Sequence, residues 1–299
     1  MPPGIILDKC AKLNTVEKGI RILNRTGFKY TVLDEEGIHT FNKEVLKRIG
    51  NPTKIDLLLF NNKYQYLLTK KVISNLGIEM PNYAISGNPR LIPIEGNSSI
   101  EKSNLRYVYI IGNYNYIYGK DEFEFYQDKE FKELILKYLC RYKTNYEKNY
   151  QIIYRPHPSE NSDVINFCEK NNIMIDTIST IQEIANKAEI VITNRCTVNI
   201  QCQIFNKSIK LLTFYNKDSR NIFTRAGAIR FDSLNSLITL LDKFIDKDSK
   251  NPKKIISERE RILDLFSSKN NPAYNIALEL SSLKNGVPLI NKKILYFRV

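Results

Sequence analysis

The segment Arg155-Pro156-His157-Pro158-Ser159-Glu160 contains one of only two histidines in a chain of 299 residues. It follows the strand-like run Gln151-Ile152-Ile153-Tyr154 directly, so it stands where a chain leaves a sheet. Pro156 and Pro158 each fix φ and remove a backbone donor, which makes the turn stiff and aims its side chains in advance. Arg155 can grip a phosphate or carboxylate with a bidentate fork, and His157 can donate beside it. Ser159 and Glu160 add a hydroxyl and a carboxylate to the same turn. Open α/β sheets bind ligands beyond the carboxyl ends of their strands, so the segment reads as an anion-binding turn rather than a surface bend.

A second junction of this kind is Glu189-Ile190-Val191-Ile192-Thr193-Asn194, followed by Arg195, Cys196 and Thr197. Asn194, Cys196 and Thr197 stand where a helical pattern begins. Thr197 suits an N-cap, and the free N–H groups of a helix start favour an anion. A plain cap is an equal reading for this stretch alone. The phosphate reading gains because a βαβ order puts both junctions on one sheet edge. Cys196 reads as packing rather than as a nucleophile.

Asp34, Glu35 and Glu36 are three consecutive carboxylates between an apolar run and Gly37. Crowded like charges raise one another's pKa, which suits a general base or a carboxylate nucleophile. A solvated acidic turn is the plain alternative, and His39 nearby is either a partner or an exposed residue. Gly87, Asn88 and Arg90 fall at a hinge between two alternating series and are candidate cleft residues. Arg90 there suits either a bound anion or an ion pair between domains. Asp246-Lys247-Asp248 has the form of a metal-binding DxD but lies in a lysine-rich stretch, so it reads as surface. Cys196 and Cys202 lack zinc-site spacing, and no metal or other cofactor is expected.

The elements that must position these residues alternate between short apolar strands and helical patterns, which predicts parallel sheets with crossover helices. Strands are expected over 4–8, 30–34, 56–60 and 83–87, with helices over 14–27, 41–50 and 62–77, the last stopped by Gly77. Residues 88–104, rich in Pro, Gly, Ser and Asn, form the linker. Strands then follow over 106–112, 151–155, 173–176, 189–194 and 208–214, separated by helices over 128–143, 162–171, 180–188 and 197–206. The fold class expected is α/β, with two doubly wound Rossmann-type domains. An acceptor-side domain covers 1–95, a donor-nucleotide-binding domain 104–250 and C-terminal helices 251–299. The first domain is read as incomplete, because too few βα units precede the linker.

Composition bounds the function. With 42% hydrophobic and 26% charged residues the chain reads as an ordinary globular protein. Its five cysteines, an odd number without a CxxC pair, argue for reduced thiols and a cytoplasmic setting. No apolar run reaches the about 20 residues that a membrane span needs, and the start lacks the pattern of a signal peptide. The net charge of +13 fits an anionic partner such as an anionic membrane leaflet, although abundant Lys, Asn and Ile account for part of it. No nucleic-acid-binding motif is present, so nucleic acid is not expected as a partner.

Four motifs in one order, Asp34–Gly37, Gly87–Arg90, Arg155–Asn161 and Asn194–Thr197, resemble the bacterial surface-carbohydrate (lipopolysaccharide and capsule) biosynthesis proteins. These are related to the GT-B glycosyltransferases that transfer Kdo from CMP-Kdo. The resemblance runs from about residue 3 to about residue 215. It implies that Arg155, His157 and Pro158 contact the donor's nucleotide phosphate, that Asn194, Cys196 and Thr197 add donor contacts, and that Glu35 and Glu36 before Gly37 supply the catalytic carboxylate. Gln201 stands where the family usually has a glutamate for a ribose hydroxyl, and the family has additional N-terminal βα units. The function implied is metal-independent transfer of a CMP-Kdo-like sugar to a lipid-linked glycan, by a cytoplasmic protein peripheral to the inner membrane. A polyol-phosphate transferase, a sugar-nucleotide epimerase of the same fold, and an inactive truncated nucleotide-binding or scaffold protein are the alternatives.

Overall fold

The computed structural model describes residues 5–8, 28–33, 52–92, 106–112, 130–138, 141, 150–157, 162–194, 196–214, 226–245, 250–266 and 271–284. The chain divides into two compact units, Met1–Ile92 with Leu263–Val299, and Pro93–Ile262.

The first unit holds a four-stranded sheet of β1 (Ile5–Asp8), β2 (Lys29–Leu33), β3 (Leu57–Phe60) and β4 (Tyr83–Ile85), parallel and in chain order. Both faces of β3 are covered, which is why its sequence is a continuous apolar run instead of an alternation. Leu58 and Phe60 meet Val72 and Ile73 of α1 (Lys63–Asn75), while Leu57 and Leu59 meet Ile276 and Leu283 of α7 (Pro272–Lys284). Gly77 ends α1 as the sequence suggests. Its φ of 65° lets the Ile78 amide return to the Ile73 carbonyl at 3.2 Å and its own amide reach Ser74 at 3.1 Å, a paired closure that satisfies end-of-helix carbonyls.

The second unit carries β5 (Tyr107–Ile111), β6 (Gln151–Arg155), β7 (Met174–Ile175), β8 (Ile190–Thr193), β9 (Lys210–Phe214) and β10 (Ile229–Phe231). They form one parallel sheet in the order β10-β9-β8-β5-β6-β7. Counted from β5, this is the doubly wound order 3-2-1-4-5-6, whose direction reverses between β5 and β8. One face packs on helical residues 130–138, on α2 (Ser162–Lys170) and on α5 (Leu234–Ile245). The other packs on α3 (Ile181–Lys187) and α4 (Val198–Phe205). Helix α6 (Lys253–Phe266) follows α5.

Every expected strand has its counterpart, within a few residues at each end. The expected helices over 14–27 and 41–50 lie outside the described residues. Among the described residues, the strand β10 and the α-helix α5 have no counterpart in the sequence reading. In β10 the exposed Arg230 interrupts the apolar run by which the other short strands show. For α5 the signal was there: Leu237, Ile238, Leu241, Phe244 and Ile245 are all buried, the spacing of one helix face.

Candidate functional site

The two edges of the second sheet differ in chemistry. At the amino edge Glu189, just before β8, accepts both Nε (2.5 Å) and Nη2 (2.6 Å) of Arg106 and also Nζ of Lys210 (2.8 Å). The same two cations donate to the last carbonyls of α5, Arg106 to Ile245 and Lys210 to Phe244 at 3.0 Å. Cations at a helix C-terminus complement its dipole. These charges are consumed in joining β5, β8, β9 and α5, which makes the network structural.

At the carboxyl edge the charge is not consumed in this way. Arg155 is the last residue of β6, paired in register with Ile111 of β5, and its carbonyl accepts the Gly112 amide at 2.6 Å. Its Nη1 lies 3.9 Å from Oδ1 of Asp176 and is buried without a hydrogen-bond partner among the described residues. Asp176 follows β7 and folds the next residues into a turn: Oδ1 accepts the amides of Ile178 (3.0 Å) and Ser179 (2.9 Å), and Oδ2 accepts the Tyr109 hydroxyl (3.1 Å). Burial pushes the Asp176 carboxyl up, but hydrogen bonds from Ser179, Ile178 and Tyr109 outweigh it and hold the group below the ordinary carboxylate range. The Tyr109 phenol is pushed well up by burial first and by the Asp176 charge second, so it stays a donor. The sequence reading missed Asp176 and Tyr109. The signal for Asp176 was the pattern Asp-Thr-Ile-Ser after a strand, which suits an Asx turn.

Pro156 and the half-buried His157 follow Arg155, while Pro158, Ser159 and Glu160 lie outside the described residues. Asn194 follows β8 directly and is 2% exposed. Cys196 is half-buried against the cluster of Tyr109, Ile111 and Cys202, consistent with packing, and Gln201 is half-buried on α4. Thr197 departs from expectation. Its backbone is already helical (φ −58°, ψ −21°) and its side chain makes no cap bond, so it does not cap α4. The tie between β8 and α4 comes instead from the Thr193 hydroxyl, which donates to Oδ1 of Asn199 at 2.8 Å. An N-cap side chain can reach back to the N2 or N3 amide only from extended backbone. Thr180 meets that condition before α3, in a reciprocal capping box with Glu183.

Gly87, Asn88 and Arg90 belong to the first unit, past the carboxyl end of β4. Gly87 has a φ of 90°, Oδ1 of Asn88 accepts the Arg90 amide at 2.9 Å, and Arg90 is exposed. Asp34, Glu35, Glu36, Gly37 and His39, together with Asp246–Asp248, lie outside the described residues. Among the described residues there is no group of three or more His, Cys, Asp and Glu side chains able to hold a metal ion. No described helix is long and apolar enough to cross a membrane.

The sheet therefore brings Arg155, which ends β6, with His157 just beyond it, and Asn194, Cys196 and Thr197, after β8, to either side of β5. Neighbouring strands lie about 4.8 Å apart, so the two segments leave the sheet about 10 Å from each other. They flank the point where strand order reverses, the usual ligand crevice of such sheets. A guanidinium and an imidazole there can stabilise charge that develops on a phosphate.

No protein-family model matches the chain, and no curated protein matches it. Solved structures do resemble it. One is a UDP-N-acetylglucosamine 2-epimerase, so assigned, from Listeria monocytogenes (TM-score 0.57, 13% identity, covering 94% of this chain and 73% of that one). Another is the GtfA/B complex (TM-score 0.52, 10% identity, 95% of this chain and 58% of that one). A third is the wall teichoic acid polymerase TagF in its H548A form (TM-score 0.50, 14% identity, 87% of this chain and 68% of that one). The chain thus spans between about three-fifths and three-quarters of the length of these proteins. At such identities the likeness concerns the fold, which is α/β of the GT-B type with Rossmann-like sheets.

Proposed function

We propose that the chain is a glycosyltransferase that binds a nucleotide-activated sugar on its second unit. The observation that carries this reading is the flanking of β5 by the Arg155–His157 turn and the Asn194–Thr197 junction at the reversal of strand order. Arg155 and His157 bind the donor phosphate and stabilise it as it departs. Glu36, or its neighbours Glu35 and Asp34, acts as base or covalent nucleophile toward an acceptor held by the first unit, and Gly87, Asn88 and Arg90 contribute to that side. The donor is CMP-Kdo or a related sugar, and the acceptor a lipid-linked glycan of a surface polysaccharide. The net charge of +13 suits peripheral work at an anionic cytoplasmic leaflet. Polyol-phosphate transfer and sugar-nucleotide epimerisation use the same nucleotide-binding half, and trials with their donors separate them from sugar transfer.

Calorimetry with CMP, CDP and UDP tests the donor site. His157→Ala is expected to weaken the tightest of them by about tenfold or more, the loss of one charge-assisted contact of about 1.5–3 kcal/mol. Equal affinity in both proteins would remove the histidine turn from the site.

A further inference from the structure

We propose that Asp176 is a positioning residue for Arg155, fixing the guanidinium at the carboxyl edge while leaving its N–H groups to the ligand. The inference rests on the donor-phosphate reading of that edge. Its basis is how the Asp176 oxygens are occupied. Oδ1 takes two backbone amides, of Ile178 and Ser179, and Oδ2 takes the Tyr109 hydroxyl. The carboxylate is therefore held from three sides and stands in one place. At 3.9 Å the guanidinium feels its charge but is outside hydrogen-bond distance. Attraction without a hydrogen bond restricts where the long arginine side chain points and does not spend its donors. Nη1 of Arg155 is the nitrogen nearest Asp176 and is buried there without a hydrogen-bond partner among the described residues, so an acceptor from outside meets the remaining N–H groups of the partly exposed side chain. A phosphate oxygen is the acceptor that the Arg155–His157 turn invites.

The three groups come from three adjacent strands: Tyr109 lies on β5, Arg155 ends β6 and Asp176 follows β7. The arrangement contrasts with the amino edge, where Glu189 bonds its arginine directly on two nitrogens and leaves it no role beyond the fold. One carboxylate consumes its guanidinium and the other reserves it.

The test is a double-mutant cycle on the full chain, read by calorimetry with the tightest-binding of CMP, CDP and UDP. Asp176→Asn keeps an oxygen for the two turn amides and removes the charge together with the acceptor that the Tyr109 hydroxyl uses. It is expected to weaken nucleotide binding about threefold to tenfold beside Arg155, and to change it less than twofold in an Arg155→Ala background, while the thermal midpoint near neutral pH falls by the same amount in both. A change of equal size in both backgrounds would mark Asp176 as a residue of the turn alone. Unchanged or tighter binding in the Arg155 background would also overturn the assignment. If Arg155→Ala by itself binds as wild type does, the donor-site reading fails and this inference with it. If Arg155→Ala weakens binding and Asp176→Asn does not, only the positioning role fails.

Discussion

Nε of Arg259, on α6, donates to the carbonyl of Gly227 at 2.9 Å inside the second unit. Its Nη1 reaches the Lys207 carbonyl at 2.8 Å, and Glu258 beside it accepts the Gly227 amide at 3.0 Å. The Arg259 side chain is 4% exposed, and burial brings its pKa down to about 10. A buried cation bonded to backbone carbonyls holds only where the backbone comes close, and Gly227 is what permits it. Its φ is 72°, and an added Cβ would lie 2.1 Å from Oε1 of Gln203 and 2.8 Å from Cγ of Arg259.

Gly227→Ala is accordingly expected to destabilise the second unit by about 2–5 kcal/mol. Left-handed backbone costs a side-chain-bearing residue roughly 1–2 kcal/mol, and the forced shift of Gln203 and Arg259 costs about 1–3 kcal/mol more. Urea unfolding followed by circular dichroism measures it. A midpoint equal to wild type would mean that the loop before β10 relaxes freely.

Acid should expose the Asp176 turn. Its carboxyl is held lower in the folded chain than in the unfolded one, so the unfolded state binds the proton first as pH falls. The stability it contributes is fully present above the unfolded value, about 3.9, and is lost as pH drops through the lower folded value. Glu183, also depressed by the Thr180 capping bonds, loses its contribution in the same direction. Thermal midpoints from pH 6 to pH 2.5 are expected to fall on the acid side. The difference between wild type and Asp176→Asn should shrink toward zero there. A difference that stays constant across that range would show that the charge is not what the turn uses.

Glu36→Gln is expected to lower turnover by a hundredfold or more while nucleotide affinity changes little. General acid–base groups contribute about 10²–10⁴-fold. Glu36 and the donor turn belong to different units, so its loss should appear in the transition state rather than in ground-state donor binding. Steady-state kinetics beside calorimetry separates the two. If Glu35→Gln fails and Glu36→Gln works, the role moves by one residue; if both stay active, the acidic turn is solvated surface.

The strands were legible because parallel strands buried on both faces, such as Leu57–Phe60 and Ile190–Thr193, are short apolar runs with polar or glycine residues at their ends. Gly77 was legible because few residues adopt a φ of 65°; Asn172, at 53°, ends α2 in the same manner and carries a weaker signal. The strand-end position of Arg155 and His157 followed from the same local pattern. Local pattern carries no strand order, however. That β6 and β8 settle on opposite sides of β5, putting two distant segments at one sheet edge, depends on how the crossover helices pack on the two faces of the sheet. The same packing brings Tyr109, Arg155 and Asp176 together, and replaces the expected Thr197 cap by the Thr193–Asn199 bond. A side chain's type fixes which bonds it can make, but whether a partner stands at hydrogen-bond distance is decided by residues remote in sequence, through the close packing of the sheet and its helices.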